Sequence, residues 1–332
     1  MRLPLIKRSA LVVGAALSLG ADPNASITAE APEEDRLSTG FELSNSLGLG
    51  TFVENDYSDA PFFGQALDIN PTYKLTDDIS ADVDWILAWE YTTPDNPTGR
   101  RYTPSDVVFR VAHSSLLKDA RFTGLTVTSS VLAIAPTSYE SRFRGTVTNL
   151  TGRIGVNRPF LGDRLTPSYR FSATKYLPTQ QSPGFLTDPE EQEEIADDQG
   201  HLLVACSVAR DACAGTAGIN PSYSFTNRAR VDYKVTSKFS AKLILDVTNI
   251  FKFETPEAFS DPNLPSRGRV DMTAGVFELV YSLHERLDLK AGVTSEQPAL
   301  DSRNDGLRFP FFDFESPSNN FTQFYLSVAT KL

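Results

Sequence analysis

Apolar and polar residues alternate one by one over long stretches of the chain from Gly40 onward. The clearest examples are 79–91 and 223–235, where nearly every second residue is apolar and those between are mostly polar or charged. A period of two residues is typical of a β-strand with one apolar face. These stretches are longer than the about five or six residues of an ordinary strand. Because a tilted strand needs about 9–11 residues to cross a bilayer, their length predicts membrane-spanning strands.

The connections between these stretches alternate in length. The short connections are 76–78, 115–120, 157–163, 236–237 and 284–286, and the longer ones are about 52–63, 92–104, 136–142, 178–217, 253–268 and 297–318. Together they join twelve predicted strands, at 41–51, 64–75, 79–91, 105–114, 121–135, 143–156, 164–177, 218–235, 238–252, 269–283, 287–296 and 319–332. Short turns alternating with long loops are typical of outer-membrane barrels, in which the turns are periplasmic and the loops extracellular.

The last predicted strand keeps the same alternation to the end of the chain, from Thr322 through Phe324 to Leu332 on one face. Over residues 40–332 the chain therefore resembles the porin-like class of bacterial outer-membrane β-barrel proteins. The resemblance implies an all-β fold, an antiparallel up-and-down barrel of about twelve strands surrounded by outer-membrane lipid and lipopolysaccharide. In that class the last strand usually ends in an aromatic residue and helps to recruit the barrel-insertion machinery, whereas this chain ends in Leu332. A secreted soluble β-sandwich is the alternative, since its strands also alternate.

The first residues have the composition of an export signal. Basic Arg2, Lys7 and Arg8 precede an apolar stretch at 10–19, and small residues follow it. We predict a signal peptide at 1–21 that is cleaved, a flexible periplasmic lead-in at 22–39 and the barrel at 40–332. A short N-terminal anchor helix is the alternative, although the apolar stretch is too short to span a bilayer.

Overall composition narrows the choice of partners and compartment. Hydrophobic residues make up 40% of the 332 residues and charged residues 22%, which excludes a disordered chain. The formal net charge of −11 argues against a nucleic-acid partner. The only two cysteines, Cys206 and Cys213, lie in one long connection of an exported chain, so we predict a disulfide that closes a small loop there.

If the apolar face of each strand meets lipid, the polar face lines the interior of the barrel. Acidic residues dominate this face in the second to fourth predicted strands, and basic residues dominate it in the seventh to ninth. An acidic wall opposite a basic wall would orient a charged solute in a narrow pore. The alternative is a plugged interior in which the charges pair. The candidate pore-lining residues are Asp68, Asp82, Asp84, Glu90, Asp106, Arg110, Arg170, Arg228, Arg230, Lys234 and Lys242.

The sequence favours a narrow passive channel for small polar or charged solutes. A non-conducting barrel that acts through its extracellular loops is the alternative, and an outer-membrane hydrolase is less favoured. Of the three histidines, His284 falls in a predicted turn, His113 on a lipid-facing position and His201 in a long loop. Because no nucleophile, phosphate-binding or metal motif is present, we predict no catalytic residue, no cofactor and no metal.

The Phe-rich stretch at 309–314, in the last long connection, has three interpretations. It dips into the outer leaflet, folds inward as a constriction, or forms a surface for a partner. The sequence alone does not choose among them.

Overall fold

The computed structural model describes residues 36–52, 62–92, 101–119, 123–179, 193–196, 202–205, 220–253, 268–300, 307–311 and 322–332. Their strands are β1 (Leu37–Gly48), β2 (Phe63–Lys74), β3 (Ile79–Glu90), β4 (Tyr102–Pro104), β5 (Val107–Lys118), β6 (Thr126–Ala135), β7 (Thr146–Asn157), β8 (Leu165–Pro178), β9 (Glu193–Ala196), β10 (Leu202–Ala205), β11 (Pro221–Lys234), β12 (Phe239–Lys252), β13 (Arg269–His284), β14 (Leu287–Pro298) and β15 (Thr322–Lys331). A 3-10 turn (Leu49–Thr51) and one short helix, α1 (Tyr139–Phe143), complete the elements.

The twelve long strands form one closed antiparallel barrel. Each pairs with its neighbours in chain order, and β1 pairs with both β2 and β15, so the ring has no open edge. The short β4 pairs with the outer end of β3, beyond the part of β3 that pairs with β5. A separate ladder joins β9 and β10. Among the described residues, no helix is both long enough and apolar enough to span a bilayer.

The barrel places apolar side chains outside and charged side chains inside. Large apolar residues such as Phe109, Val131 and Leu326 are exposed, whereas Asp82 and Asp246 are buried. A soluble sandwich would bury its apolar faces between two sheets. The observed arrangement is the reverse and suits a barrel whose outer surface meets lipid. The predicted twelve-stranded transmembrane barrel is therefore confirmed, and the β-sandwich alternative is wrong.

Several strand boundaries differ by a few residues from the sequence prediction, among them the start of β1 and the end of β5. β1 begins at Leu37, which pairs with Tyr73, so the last three residues of the 22–39 segment belong to the barrel. β5 continues to Lys118 through a bulge that keeps its last residues paired with β6, so the turn to β6 begins later than predicted. In that turn the Asp119 carboxylate accepts hydrogen bonds from the Thr123 backbone N–H (3.0 Å) and hydroxyl (2.8 Å). Gly124 supplies the left-handed backbone conformation, with φ +66°.

Several predictions concern residues that lie outside the described part of the chain. The signal peptide at 1–21 lies there, as do His201 and both cysteines of the predicted Cys206–Cys213 disulfide. These remain predictions.

The turns after β2 and after β11 share one arrangement of hydrogen bonds. Leu75 and Thr76 donate their backbone N–H groups to the Ile79 carbonyl (2.9 and 3.1 Å), and Ile79 N–H donates to the Thr76 hydroxyl (3.0 Å). After β11, Val235 and Thr236 contact Phe239 in the same way. Each turn sets which residues of its two strands lie opposite one another.

Gly292 of β14 provides a test of packing inside the barrel. A Cβ atom there would lie 2.6 Å from Cζ of Tyr325 and 2.7 Å from the Phe277 carbonyl oxygen. We expect Gly292→Val to lower the free energy of unfolding by about 1–3 kcal/mol, because the added side chain overpacks this site. Urea unfolding in lipid vesicles, followed by heat-modifiable gel mobility, measures the change.

Gly152→Val is the matched control, since a Cβ atom at Gly152 would have nothing within 4 Å. We expect this variant to unfold at nearly the same urea concentration as the parent protein. Equal destabilisation by both variants would contradict the packing argument.

Candidate functional site in the barrel interior

The candidate residues from the sequence all fall on one phase of the alternation. Asp68, Arg170 and Arg228 alternate with exposed apolar neighbours such as Tyr169 and Val231, and they share the phase of the buried Asp82 and Asp246. In a closed barrel, the face opposite the exposed apolar face is the interior. Asp106 keeps this phase just before β5, and Lys234 keeps it at the exposed end of β11.

Four ion pairs join interior charges on β3, β5 and β11–β13. Arg228 contacts Asp246 through two hydrogen bonds, Nε to Oδ1 at 2.7 Å and Nη2 to Oδ2 at 2.6 Å. The other pairs are Arg110 Nε with Asp82 at 2.9 Å, Arg230 Nε with Asp232 at 2.7 Å, and Lys242 Nζ with Glu278 at 2.5 Å. Such charge-assisted bonds hold side chains in fixed positions on the barrel wall.

A second cluster closes the interior where the two ends of the chain meet. Glu42 of β1 accepts hydrogen bonds from Lys290 Nζ and from the Ser327 hydroxyl, each at 2.6 Å. Glu278 accepts a further hydrogen bond from the Tyr325 hydroxyl at 2.7 Å. Side chains from β1, β13, β14 and β15 are thus joined by hydrogen bonds across the closing seam.

Several interior residues are absent from the candidates predicted from the sequence. The predicted candidates lie only on the second to fourth and the seventh to ninth strands, although the same alternation runs through the others. The alternation that reveals them was present in the first, sixth, tenth, eleventh and twelfth predicted strands, where these residues lie at the polar positions. The residues missed in this way are Glu42, Arg153, Glu278, Lys290, Glu296 and Tyr325.

The separation of the interior into an acidic wall and a basic wall is less complete than the sequence predicted. Arg228, Arg230 and Lys242 each have an acidic partner on their own or the next strand, which neutralises part of the basic wall. Arg110 pairs with Asp82 and neutralises part of the acidic wall. A separation of charge nevertheless persists around the ring, and it is described by two groups. The acidic group on β1–β3 contains Glu42, Asp68, Asp82 and Asp84, and the arginine group on β7, β8 and β11 contains Arg153, Arg170 and Arg228.

Close approach of like charges marks both groups. Asp68 of β2 lies opposite Ile86 in the register, so Asp84 is its diagonal neighbour on the same face of β3. Arg170 and Arg228 lie directly opposite one another in the β8–β11 register. Like charges on neighbouring strands destabilise a sheet unless solvent or opposite charges compensate them. This feature therefore calls for water, counter-charges or a charged solute in the interior.

The connection between β6 and β7 packs against the inner side of the outer rim. Ser138 caps α1 by accepting a hydrogen bond from Ser141 N–H at 3.0 Å. Asp106 in turn accepts hydrogen bonds from Ser138 N–H at 2.8 Å and from the Ser141 hydroxyl. Asp106 was predicted to line a pore, and its carboxylate is bonded to the start of this helix.

The end of α1 is held by two further contacts. Arg144 forms an ion pair with Glu140 at 2.9 Å, and its carbonyl accepts a hydrogen bond from the buried Asn220 side chain at 2.8 Å. Burial raises the pKa of the Glu140 carboxyl group, and the neighbouring Arg144 partly opposes that shift. These contacts fix the connection to the residues that precede β5 and β11 at the rim.

The histidines offer no support for a hydrolytic site. His113 lies on the outer face, opposite Ile79 and Ser129 in the register, and His284 is exposed at the end of β13. Neither of these two histidines, in the part of the chain that the structure describes, faces the charged interior.

Comparison with one solved structure, a bacterial outer membrane channel, supports the fold, and two further structures are similar at lower scores. An outer membrane channel from Pseudomonas putida F1 aligns with a TM-score of 0.53 at 11% identity, over 91% of this chain and all of that one. The NanC porin aligns with a TM-score of 0.45 at 10% identity, over 88% of this chain and all of that one. Pseudomonas aeruginosa OprD aligns with a TM-score of 0.37 at 10% identity, over 89% of this chain and 95% of that one. No family model and no curated protein matches the sequence.

The Arg228–Asp246 pair tests how much the interior charges contribute to stability. Asp246 is only 7% exposed, so Arg228→Ala leaves a buried carboxylate without this partner. We expect a loss of about 3–5 kcal/mol in the free energy of unfolding, with part of it regained in Arg228→Ala/Asp246→Ala. Urea unfolding of the four variants in a double-mutant cycle gives the coupling energy.

The exposed pair Arg269–Asp271, also at 2.7 Å, is the matched control. Its arginine side chain is 54% exposed, so we expect Arg269→Ala to cost less than about 1 kcal/mol. Similar losses at the two sites would show that the interior is as well solvated as the outer rim.

Proposed function

We propose that this barrel is a narrow passive channel for small polar or charged solutes across the bacterial outer membrane. The observation that carries the proposal is the separation of interior charge between the acidic group and the arginine group. A solute with both charges, or with a strong dipole, is attracted to both sides at once and oriented between them.

The size of the ring supports a narrow passage. Barrels of about eight strands are filled by side chains, whereas barrels of 16–18 strands leave a wide aqueous channel. Twelve strands lie between these limits, and α1 takes up further space at the mouth. Such dimensions favour solutes of small size over large ones.

The cost of charge in lipid supports an interior that holds water. A Lys or Arg that faces hydrocarbon near the bilayer midplane costs about 2–4 kcal/mol. The interior charges avoid that cost because they all lie at the inward-facing positions of their strands. Water between the acidic group and the arginine group keeps them solvated. The structurally similar protein from P. putida is itself described as a channel, which agrees with this proposal.

Two further parts of the proposal follow from the same fold. The protein acts without catalysis, and its C-terminal strand β15 engages the barrel-insertion machinery before it pairs with β1. The alternative function, a non-conducting barrel that acts through its loops, requires an interior closed by ion pairs and by α1.

Single-channel conductance in planar bilayers tests the proposal directly. We expect stepwise conductance from the purified protein. Asp68→Asn/Asp84→Asn is expected to shift ion selectivity towards anions, because it removes negative charge from the interior. Arg153→Gln/Arg170→Gln is expected to shift it towards cations. The reversal potential in a salt gradient measures both shifts.

Single charge removals of either sign in exposed turns serve as controls. Lys238→Gln lies in the turn after β11, and Asp163→Asn lies in the turn after β7, where Asn also tolerates the left-handed backbone of φ 65°. We expect both controls to keep the parent's reversal potential within a few millivolts. A correctly folded barrel that shows no conductance would contradict the channel and favour the closed alternative.

A further inference from the structure

Residues 307–311, a described part of the last outside connection, lie against the outer wall of the barrel. Arg308 N–H donates a hydrogen bond to the Ala299 carbonyl at 3.0 Å, and the Gln297 side chain donates one to the Phe309 carbonyl. The Phe311 ring lies over Gly275, where a Cβ atom would come within 2.6 Å of its Cδ1. The segment Leu307–Phe311, here called the strap, is thus fixed to β13 and β14.

The phase of the contacted residues shows which side of the wall the strap occupies. Gly275 shares its phase with the exposed Phe277, and Gln297 shares its phase with the exposed Leu289. Both residues therefore point outward, away from the charged interior. The inward constriction, one of the three interpretations of 309–314, is wrong for the described part of that stretch.

The outer wall beside the strap contains a polar patch. Thr273, Ser295, Gln297 and Thr322 share the outward phase, yet all are buried, and Gln297 and Ser295 are 0% exposed. Thr322 donates its hydroxyl hydrogen to the Ser295 hydroxyl at 3.3 Å. On a lipid-facing wall, uncovered polar side chains would lose hydrogen-bonding partners at a cost of a few kcal/mol. The strap carbonyl at Phe309 gives Gln297 a partner.

The strap turns apolar side chains away from the barrel. Leu307 is 82% exposed and Phe309 is 52% exposed, and the adjoining Leu300 is also exposed. Outward side chains of β15 on the same outer wall are exposed as well, with Leu326 65% exposed. Exposed apolar side chains on the outer wall of a membrane barrel have lipid as their natural neighbour.

We infer that the strap is embedded in the outer leaflet of the membrane, with its apolar side chains among the acyl chains. The polar patch beneath it marks the part of the wall that the strap covers in place of lipid. In this arrangement the strap anchors the extracellular rim of β13–β15 at a fixed depth. The inference concerns the outer wall and does not depend on whether the interior conducts.

Tryptophan fluorescence in vesicles tests the depth of the strap. The chain has two native tryptophans, Trp85 and Trp89, so Trp85→Phe/Trp89→Phe provides a background without signal. Leu307→Trp then reports on the strap, Leu326→Trp on the lipid-facing wall and Lys238→Trp on a solvated turn. Lipids brominated near the top of the acyl chains quench embedded tryptophan, and acrylamide quenches solvated tryptophan.

We expect Leu307→Trp to be quenched by brominated lipid at least half as strongly as Leu326→Trp, and by acrylamide at least threefold less than Lys238→Trp. Acrylamide quenching equal to that of Lys238→Trp would overturn the inference. Protection from both quenchers, together with dimers in detergent, would also overturn it and assign the strap to an interface between two copies of the chain.

A second substitution tests whether contact with the wall holds the strap in place. Gly275→Val, added to the Leu307→Trp reporter, places its side chain where Phe311 and the Pro310 carbonyl lie. We expect lipid quenching to fall at least twofold and acrylamide quenching to rise. Gly152→Val, on the outer face of β7 with open space around it, is expected to leave both unchanged. Unchanged quenching in a folded Gly275→Val variant would contradict the proposed seat of the strap.

Discussion

The pairing of β1 with β15 is the interaction on which the rest of this structure depends. The seam runs from Gly40 opposite Lys331 to Gly48 opposite Gln323, and it joins the two ends of a long chain. In hydrocarbon, each backbone N–H or C=O without a partner costs several kcal/mol, so a sheet can cross a membrane only as a closed ring. Closure then forces each strand to send alternate side chains to lipid and to the interior. The charged interior is a consequence of that geometry.

Charges inside a ring must be stabilised by one another or by water. From β11 to β15, interior charges are stabilised by opposite charges on neighbouring strands, as in Arg228 with Asp246 and Lys242 with Glu278. On β2–β3 and β8–β11 the structure also places like charges on neighbouring strands, with Asp68 diagonal to Asp84 and Arg170 opposite Arg228. Arg228 belongs to both arrangements, because it pairs with Asp246 on one side and lies opposite Arg170 on the other.

The sequence predicted the strand number, the strand order and the phase of the interior, because these depend on local alternation and loop length. It did not predict ion-pair partners, because Glu42 and Lys290 are 248 residues apart in the chain and meet only after closure. The docking of α1 through Asp106 and Ser138 likewise depends on contacts between separate strands. The direction in which the 309–314 stretch folds was undecidable from composition, since aromatic residues suit lipid, a constriction and an interface equally well.

The threonine turns after β2 and β11 have a consequence for how the barrel is assembled. Because side chains alternate, a slip of one residue in either hairpin would turn an entire strand over. A slip of β3 would move Asp82 and Asp84 into hydrocarbon, and a slip of β12 would do the same to Lys242 and Asp246. The Thr76 and Thr236 hydroxyls hold the first residue of the returning strand in place while the hairpin is still short. The turns thereby penalise a misaligned hairpin through bonds that lie within the hairpin itself and need no contact with the rest of the barrel.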